Sequence, residues 1–436
     1  MSSKIFHLWH RLFLAERPSI SLSFFRLSVA WTTGAHVIPT FFFLQDNYFS
    51  TAFKQYNTSF FPVSVIELIQ KSPEGLIIFF VVLFCLSWFL FLIGLFSQIS
   101  CIIMTFCGYY FYALNSFHIG TLSWDILLVT LFLMCCVSYH GDYFSVDCLF
   151  RGSREEGSLL PFQRRQPYFL QRLLQLQIGF TFFYTALYKV SAEGNWIKGN
   201  PIYYIMNYPP PGTTKLFLLR DFLMDKPQVC YVIGIFIVTM ELLILFLLFC
   251  RRTRLSAIYL GWMFHCVLIL TLDVPAIFLF LFPIQLLLFI NPEGIERWIA
   301  QKRLFNENCA KRPVLLYDGR CQFCRRSVNQ LSIMDLFNTL KMEDLHHYSD
   351  PKSLHPDLTY QKAMSQLHLI EPDGTLYGGF RIFQRICFPL PMLWPLIFLF
   401  YFPGMGGIGP LLYRFVAKNR YLLHWNPSCK NNACYR

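Results

Sequence analysis

The chain has 436 residues, of which 55% are hydrophobic and only 14% are charged. Soluble globular proteins contain about a quarter charged residues, so this composition excludes a wholly soluble protein. The formal net charge of +12 does not indicate nucleic-acid binding, because the arginines lie mostly in short segments between apolar runs. The composition predicts a multi-pass membrane protein with a smaller soluble domain.

The first 19 residues are amphipathic and carry Lys4, Arg11 and Arg17, so we predict a cytoplasmic or interfacial lead-in. Long apolar runs follow and predict a membrane all-α bundle of about eight spans within residues 20–291. The spans are predicted near residues 20–44, 75–95, 100–114, 122–139, 173–188, 229–250, 255–272 and 274–290.

Basic segments between these runs predict the orientation. With a cytoplasmic N-terminus, the arginine-rich segments 151–165 and 251–254 both fall in the cytoplasm, as do the basic residues of 302–312. We therefore predict an integral protein of a bacterial inner (plasma) membrane with both termini in the cytoplasm. Reducing conditions there keep cysteines available as thiols.

Among the ionisable residues within or at the ends of the predicted spans, we single out Asp125, Lys189, Glu241 and His265. Such residues are costly in a bilayer and are functional candidates. Desolvation favours the neutral amine of a lysine, so Lys189 is a candidate base, with the other three as its partners. The structural alternative is that Lys189 reaches the outer interface while Asp125, Glu241 and His265 pair with one another.

A predicted linker at residues 292–311 leads to a segment of soluble composition, residues 312–436. The apolar run Val314–Tyr317 predicts a buried strand, Asp318-Gly319 a turn, and Arg325–Val328 the opening of a helix.

Further strand signals follow at residues 339–342 and at 367–377, where two short runs flank the tight turn Glu371–Gly374. The apolar run 390–402 is interrupted by prolines and predicts an amphipathic or membrane-apposed helix pair. Together these elements predict an α/β domain at the C-terminus.

Cys321 and Cys324 stand at the start of the predicted helix. The positive end of a helix dipole stabilises a thiolate, so Cys321 is the predicted nucleophile and Cys324 the thiol that resolves a mixed disulfide. An inert pair is one alternative, and half of a zinc site is another. A zinc site would need two further ligands from Cys309, His346, His347, Cys429 or Cys434. We favour the redox interpretation and predict no metal.

Residues 312–436 resemble the thiol-disulfide oxidoreductase family named for its Asp-x-x-Cys-x-x-Cys (DCC) signature, here Asp318, Cys321 and Cys324. Later motifs that match the family are Pro372-Asp373-Gly374, Gly378-Gly379-Phe380, Leu393–Leu396 and Tyr413–Tyr421. The resemblance implies a thioredoxin-like fold, catalytic roles for the three signature residues, and a protein or small-molecule thiol or disulfide as partner.

The apolar part resembles the horizontally transferred transmembrane (HTTM) domain shared by vitamin K-dependent gamma-carboxylases and bacterial relatives. The matching pieces are Phe25-Arg26, Tyr143–Asp147, Tyr188-Lys189 followed by Trp196 and Gly199, and Phe264-His265. In the carboxylases a lysine at this place is the base that acts on the hydroquinone. The resemblance implies that role for Lys189, and a vitamin K-like quinone or another lipid as cofactor or partner.

The sequence therefore predicts a membrane-anchored thiol-disulfide oxidoreductase, with a quinone or lipid pocket in its membrane domain. One alternative is a carboxylase-like membrane enzyme with Lys189 as base. The other is a non-enzymatic binding or transport module with a redox-sensing domain. About 30 Å of hydrocarbon is predicted between Cys321 and Lys189, which disfavours direct transfer between them.

Overall fold

The structure is a computed structural model of the chain. The chain forms two compact units, Met1–Asp147 with Phe162–Gly294, and Cys148–Pro161 with Ile295–Arg436. The residues that the structure describes are 6–7, 9–50, 60–115, 121–136, 139–152, 165–191, 196–197, 200–207, 218–223, 225–271, 284–309 and 311–420. Gly199, Cys429, Cys434 and most of the eighth predicted span lie outside these residues.

The apolar part of the chain is helical, as expected where backbone N–H and C=O groups must be paired within the segment. A short antiparallel ribbon joins β1 (Glu16–Pro18) to β2 (Arg165–Pro167). The helices up to residue 271 are α1 (Ile20–Val37), α2 (Val63–Gln70), α3 (Glu74–Ile93), α4 (Ser97–Leu114), α5 (Thr121–Cys135), α6 (Val146–Gly152), α7 (Phe169–Val190), α8 (Pro201–Asn207), α9 (Leu218–Leu223), α10 (Pro227–Phe249) and α11 (Arg254–Thr271).

Helices α1, α3, α4, α5, α7, α10 and α11 occupy the first seven predicted spans. By length and composition, α3 and α10 are the described helices that could cross a membrane, with 20 and 23 residues. At about 1.5 Å per residue these helices reach across a hydrocarbon core. The remaining helices are shorter or less apolar, so a bundle of eight spans stays a prediction.

The packing of the first unit separates an inner apolar core from outer apolar faces. The core includes Val29, Phe84, Met104, Leu131, Leu174 and Ile244. On the outer side, Val82 of α3 and Val232 of α10 are more than 60% exposed. Exposed apolar side chains on such helices are expected where the solvent is lipid rather than water.

A buried arginine joins α1 to two connections in the first unit. Arg26 is 0% exposed, and its guanidinium donates hydrogen bonds to the carbonyls of Phe91, Leu92 (3.0 Å) and Phe144 (2.5 Å). Its Nε donates to the carbonyl of His140 at 3.2 Å. One guanidinium thus satisfies carbonyls at the end of α3 and in the segment before α6.

The segment before α6 is also held at its C-terminal end, by the side chain of Asp147. The Asp147 carboxylate accepts the backbone N–H groups of Phe96 and Ser97, each at 2.8 Å. A carboxylate at a helix N-terminus satisfies free N–H groups and interacts favourably with the helix dipole. The Phe25-Arg26 and Tyr143–Asp147 motifs therefore have a structural role, because they hold residues 140–147 to α1 and to the α3–α4 connection of the same unit.

The second unit is built on a four-stranded mixed sheet. Its order is β4 (Lys341–Asp344), β3 (Val314–Tyr317), β5 (His368–Ile370) and β6 (Leu376–Gly378). Strands β3 and β4 are parallel, whereas β5 is antiparallel to both of its neighbours. The helices of this part of the chain are α12 (Pro292–Glu307), α13 (Gln322–Met334), α14 (Tyr360–Ser365), α15 (Phe380–Ile386), α16 (Ile397–Phe400) and α17 (Met405–Asn419).

Most of the predicted elements of this unit are present, with shifted boundaries. The first strand is found at the predicted residues. The second begins two residues late, because the Asp335 carboxylate accepts the N–H groups of Thr339 and Leu340 (both 2.8 Å) and holds them in a turn. In place of a helix pair, run 390–402 forms a 3-10 segment, Pro391–Leu396, and the single turn of α16.

Candidate active site

The turn after β3 brings Cys321 to the N-terminus of α13. Cys321 occupies the N-cap position, and its Sγ accepts the backbone N–H of Cys324 at 3.3 Å. The backbone N–H of Cys321 donates in turn to the carbonyl of Asp318 at 3.2 Å. Both cysteines are buried, with 2% and 6% of their surface exposed. The predicted strand, turn and helix therefore place both sulfurs at one helix N-terminus.

The turn requires glycine at position 319. Its N–H donates to Asp344 Oδ1 at 3.0 Å, and a Cβ built on Gly319 would lie 1.9 Å from Asp344 Oδ2. The same Asp344 carboxylate accepts the N–H of His346 at 3.0 Å. One carboxylate thus fixes the turns at the ends of both parallel strands.

Asp318 connects the cysteine loop to two other segments. Its buried carboxylate accepts the N–H of Arg320 at 3.0 Å and contacts His346 Nε2 at 3.0 Å. Arg420, which follows α17, approaches the second carboxylate oxygen at 3.6 Å and donates to the carbonyl of Met364 at 2.7 Å. Because β3 and β4 are parallel, their carboxyl ends meet at one edge, which brings His346 to Asp318.

The two thiols have different acidities. The hydrogen bond from the Cys324 thiol lowers the pKa of Cys321 to about 7, with further help from the Cys324 N–H and the charge of Arg420. Burial and the negative charge of Asp318 oppose this shift. The same hydrogen bond, together with burial, raises the pKa of Cys324 well above its ordinary value. Cys321 is therefore the more acidic of the two thiols.

The zinc alternative involves ligands that are only partly described. Within the described ranges, no group of three or more His, Cys, Asp and Glu side chains is arranged to hold a metal ion. His346, one of the candidate ligands, contacts Asp318 instead. Sequence reasoning did not predict the role of Asp344, or that His346 and Arg420 of the matched Tyr413–Tyr421 motif approach Asp318. These contacts depend on how separate segments pack.

In the helical unit, two of the four predicted ionisable residues meet. Lys189 Nζ lies 2.5 and 2.6 Å from the two carboxylate oxygens of Glu241, which joins α7 to α10. The ammonium also lies 4.9 Å from the centre of the Trp196 ring. Glu241 therefore pairs with Lys189, in contrast to the structural alternative in which Glu241 pairs with Asp125 or His265.

The other two candidates have different neighbours. Asp125, near the start of α5, lies beside Tyr112 of α4. The His265 ring is 3% exposed and lies 6.1 and 5.3 Å from the rings of Phe182 and Phe264. The described contacts of Asp125 and His265 are thus with aromatic side chains.

The chain combines a helical unit, in which two described helices are long and apolar enough to cross a membrane, with a dithiol at a helix N-terminus on a small mixed sheet. These features are expected of a membrane protein with a redox domain. Comparison with protein-family models identifies the same two parts of the chain. The HTTM domain model matches residues 17–293, and the DCC1-like thiol-disulfide oxidoreductase model matches residues 315–426. Because the first match covers more than half of the chain, the protein belongs to the HTTM domain family, and it carries a DCC1-like domain after it.

One curated relative is an uncharacterized chloroplastic protein of Arabidopsis thaliana. It is 29% identical over 115 residues, which are 26% of this chain and 53% of the relative. The match thus spans about half the length of that relative. No solved structure matches the chain.

Proposed function

We propose that the protein is a membrane-anchored thiol-disulfide oxidoreductase in which Cys321 attacks and Cys324 resolves. The observation that carries the proposal is the Cys321 sulfur at the N-terminus of α13, held 3.3 Å from the Cys324 nitrogen, with a pKa of about 7. Strand order β4-β3-β5-β6, with Cys321 at the N-cap of α13 and Cys324 in its first turn, supports the thioredoxin-like fold that the resemblance implies.

In the proposed reaction, the Cys321 thiolate attacks one sulfur of a substrate disulfide. The substrate S–S bond breaks, a mixed disulfide forms, and the released substrate thiolate takes up a proton. The Cys324 thiol then loses its proton and attacks the Cys321 sulfur. This step releases the second substrate thiol and leaves a Cys321–Cys324 disulfide, which a dithiol reductant returns to the reduced state.

The charged residues beside the pair have opposite proposed effects. Arg420 stabilises the Cys321 thiolate, whereas the carboxylate of Asp318 disfavours it. Asp318 in turn lies 3.6 Å from Arg420, so the two charges partly offset each other at the sulfur. We propose that this balance keeps the pKa of Cys321 near neutral pH, where a thiolate is both abundant and nucleophilic.

The proposed location is the inner membrane of a bacterium, with both termini in the cytoplasm. The arginine-rich segments 151–165 and 251–254 support this orientation through the positive-inside rule. A reducing cytoplasm would keep the cysteine pair as a dithiol, which suits reduction of a substrate disulfide.

The proposal predicts a thiolate that forms near neutral pH. Because Cys321 is nearly buried, ultraviolet absorbance of the thiolate is a better measurement than chemical labelling. The difference in absorbance between the wild type and Cys321→Ser should rise with pH around a midpoint of about 7. Turnover should rise through the same range and level off above it, because only the thiolate attacks.

Two variants test whether the neighbouring charges set the pKa of Cys321, and they should move it in opposite directions. Arg420→Gln removes a positive charge near the sulfur and should raise the midpoint, whereas Asp318→Asn removes a negative charge and should lower it. A wild-type midpoint near 8.5, the ordinary thiol value, would contradict an activated Cys321.

A second candidate function rests on the ion pair of the helical unit. Lys189 and Glu241 are in direct contact, so we propose that a proton passes from the Lys189 ammonium to the carboxylate and leaves a neutral amine as base. A vitamin K-like quinone would supply the two-electron chemistry. The residues fit such a group, because the neutral Lys189 amine, 4.9 Å from the centre of the Trp196 ring, could accept a proton from a hydroquinone hydroxyl held beside that ring.

Two substitutions at Lys189 test this candidate. Lys189→Ala should abolish quinone-dependent turnover and leave Cys321-dependent disulfide reduction intact. Lys189→Arg keeps a positive charge opposite Glu241 but cannot be deprotonated, so it should also be inactive with quinone. Full quinone turnover by Lys189→Arg would exclude the lysine as base. Activity in neither assay would favour a binding or sensing role.

A further inference from the structure

The second unit exposes a continuous row of apolar side chains along α17. Ile408, Leu411, Leu412, Phe415 and Val416 follow the i, i+3, i+4, i+7, i+8 spacing of one helix face. All five are exposed, Phe415 by 69%. In an aqueous environment such a row would be an unusually large apolar patch.

Helix α16 extends this row, because it packs against α17. Phe398 is 84% exposed, and Phe402, just after the helix, is 65% exposed. We call these seven side chains of α17 and the α16 segment the α16–α17 face.

The stretch that carries the α16–α17 face has charges of one sign. Residues 380–420 contain no Asp or Glu. Four exposed basic residues of this stretch are Arg381, Arg385, Arg414 and Lys418. An apolar helix face flanked by basic residues is typical of helices that lie at a membrane surface, where cations meet anionic headgroups.

A cavity of about 360 Å³ lies behind this face. Its lining is mostly apolar and includes Phe323, Phe383 and Phe400, with Cys324 at its wall. Leu412 and Val416 line the cavity and also belong to the α16–α17 face. The apolar surface is therefore continuous from the exposed face to the resolving cysteine.

We propose that the α16–α17 face docks on the surface of a lipid bilayer, with its aromatic and aliphatic side chains at the boundary between headgroups and acyl chains. The occupant follows from charge and chemistry: the face is apolar, the stretch that carries it has basic but no acidic residues, and the chain also carries a membrane domain. Docking places the cavity beside Cys324 at the level of the lipid. The proposal does not depend on the redox activity of the cysteines.

Photocrosslinking in the full-length protein tests this docking. Phe398 and Phe415 are replaced singly by benzoylphenylalanine, and the protein is reconstituted in nanodiscs of phosphatidylcholine and phosphatidylglycerol. Tyr360, which is 56% exposed on α14 of the same unit, is replaced in the matched control. After irradiation, peptides from positions 398 and 415 should carry phospholipid adducts at least several-fold more often than those from position 360.

Three results would overturn the proposal. They are crosslinks from positions 398 and 415 to another segment of this chain, crosslinks to a second copy, and no more lipid adduct than in the position 360 control. The replacement keeps an aromatic, apolar side chain at an exposed position, where the added benzoyl group has room. An unchanged melting temperature for each variant confirms that the face tested is that of the folded protein.

Discussion

Cys321→Ser is expected to reduce disulfide turnover to the uncatalysed rate, and Cys324→Ser is expected to trap a mixed disulfide. The first variant lacks the sulfur that the helix N-terminus and the Cys324 N–H stabilise as a thiolate. With a pKa of about 7, about half of Cys321 is ionised at neutral pH. An ordinary thiol is ionised to only a few per cent.

The second variant separates attack from resolution. Serine at position 324 leaves the nucleophile in place but cannot displace the substrate, so Cys321 should remain bonded to it. The intact mass of the purified protein should increase by one substrate thiol and return to its original value after strong reduction. Turnover is measured in parallel with a model disulfide and a dithiol reductant.

The control for both variants is Cys309→Ser. Cys309 is exposed and belongs to the same unit, outside the cysteine pair. It should keep wild-type turnover and form no trapped species. Wild-type activity in Cys321→Ser would reject the proposed oxidoreductase mechanism, and failure of Cys324→Ser to form an adduct would reject resolution by Cys324.

The core of this site could be predicted from the sequence because its signals are local. The strand Val314–Tyr317, the turn and the start of α13 lie within consecutive residues, and their apolar run, glycine and cysteines each have a direct structural meaning. By contrast, Arg420 reaches Asp318 from more than 90 residues away. Its approach depends on how α17 packs, which no local pattern specifies.

In the helical unit, prediction from the sequence is also limited, but for a different reason. The sequence identified Lys189 and Glu241 as ionisable residues in apolar surroundings, but helical periodicity alone does not determine which helices are neighbours. A Cβ on Gly179 of α7 would lie 2.3 Å from the Leu245 side chain of α10. This small residue lets the two helices approach closely, and that contact brings Lys189 to Glu241.

Arg26→Ala is expected to cause the largest loss of stability in the helical unit. The substitution removes hydrogen bonds from one charged donor to four carbonyls in two connections. Hydrogen bonds with charged groups contribute about 1.5–3 kcal/mol each, and the buried carbonyls cannot all recover partners from water. We expect a loss of about 3 kcal/mol or more, which lowers the melting temperature by about 5 °C or more.

The role of the guanidinium can be separated from that of charge alone. Arg26→Lys keeps a cation, but a lysine ammonium lacks the planar fork that reaches several carbonyls at once, so its stability should fall between wild type and Arg26→Ala. Ser28→Ala on the same helix is the matched control, since its hydroxyl bonds only within α1 to the Phe24 carbonyl. Melting of detergent-solubilised protein is followed by tryptophan fluorescence. If Arg26→Ala melts together with Ser28→Ala, the four carbonyl contacts do not hold α1 to its neighbours.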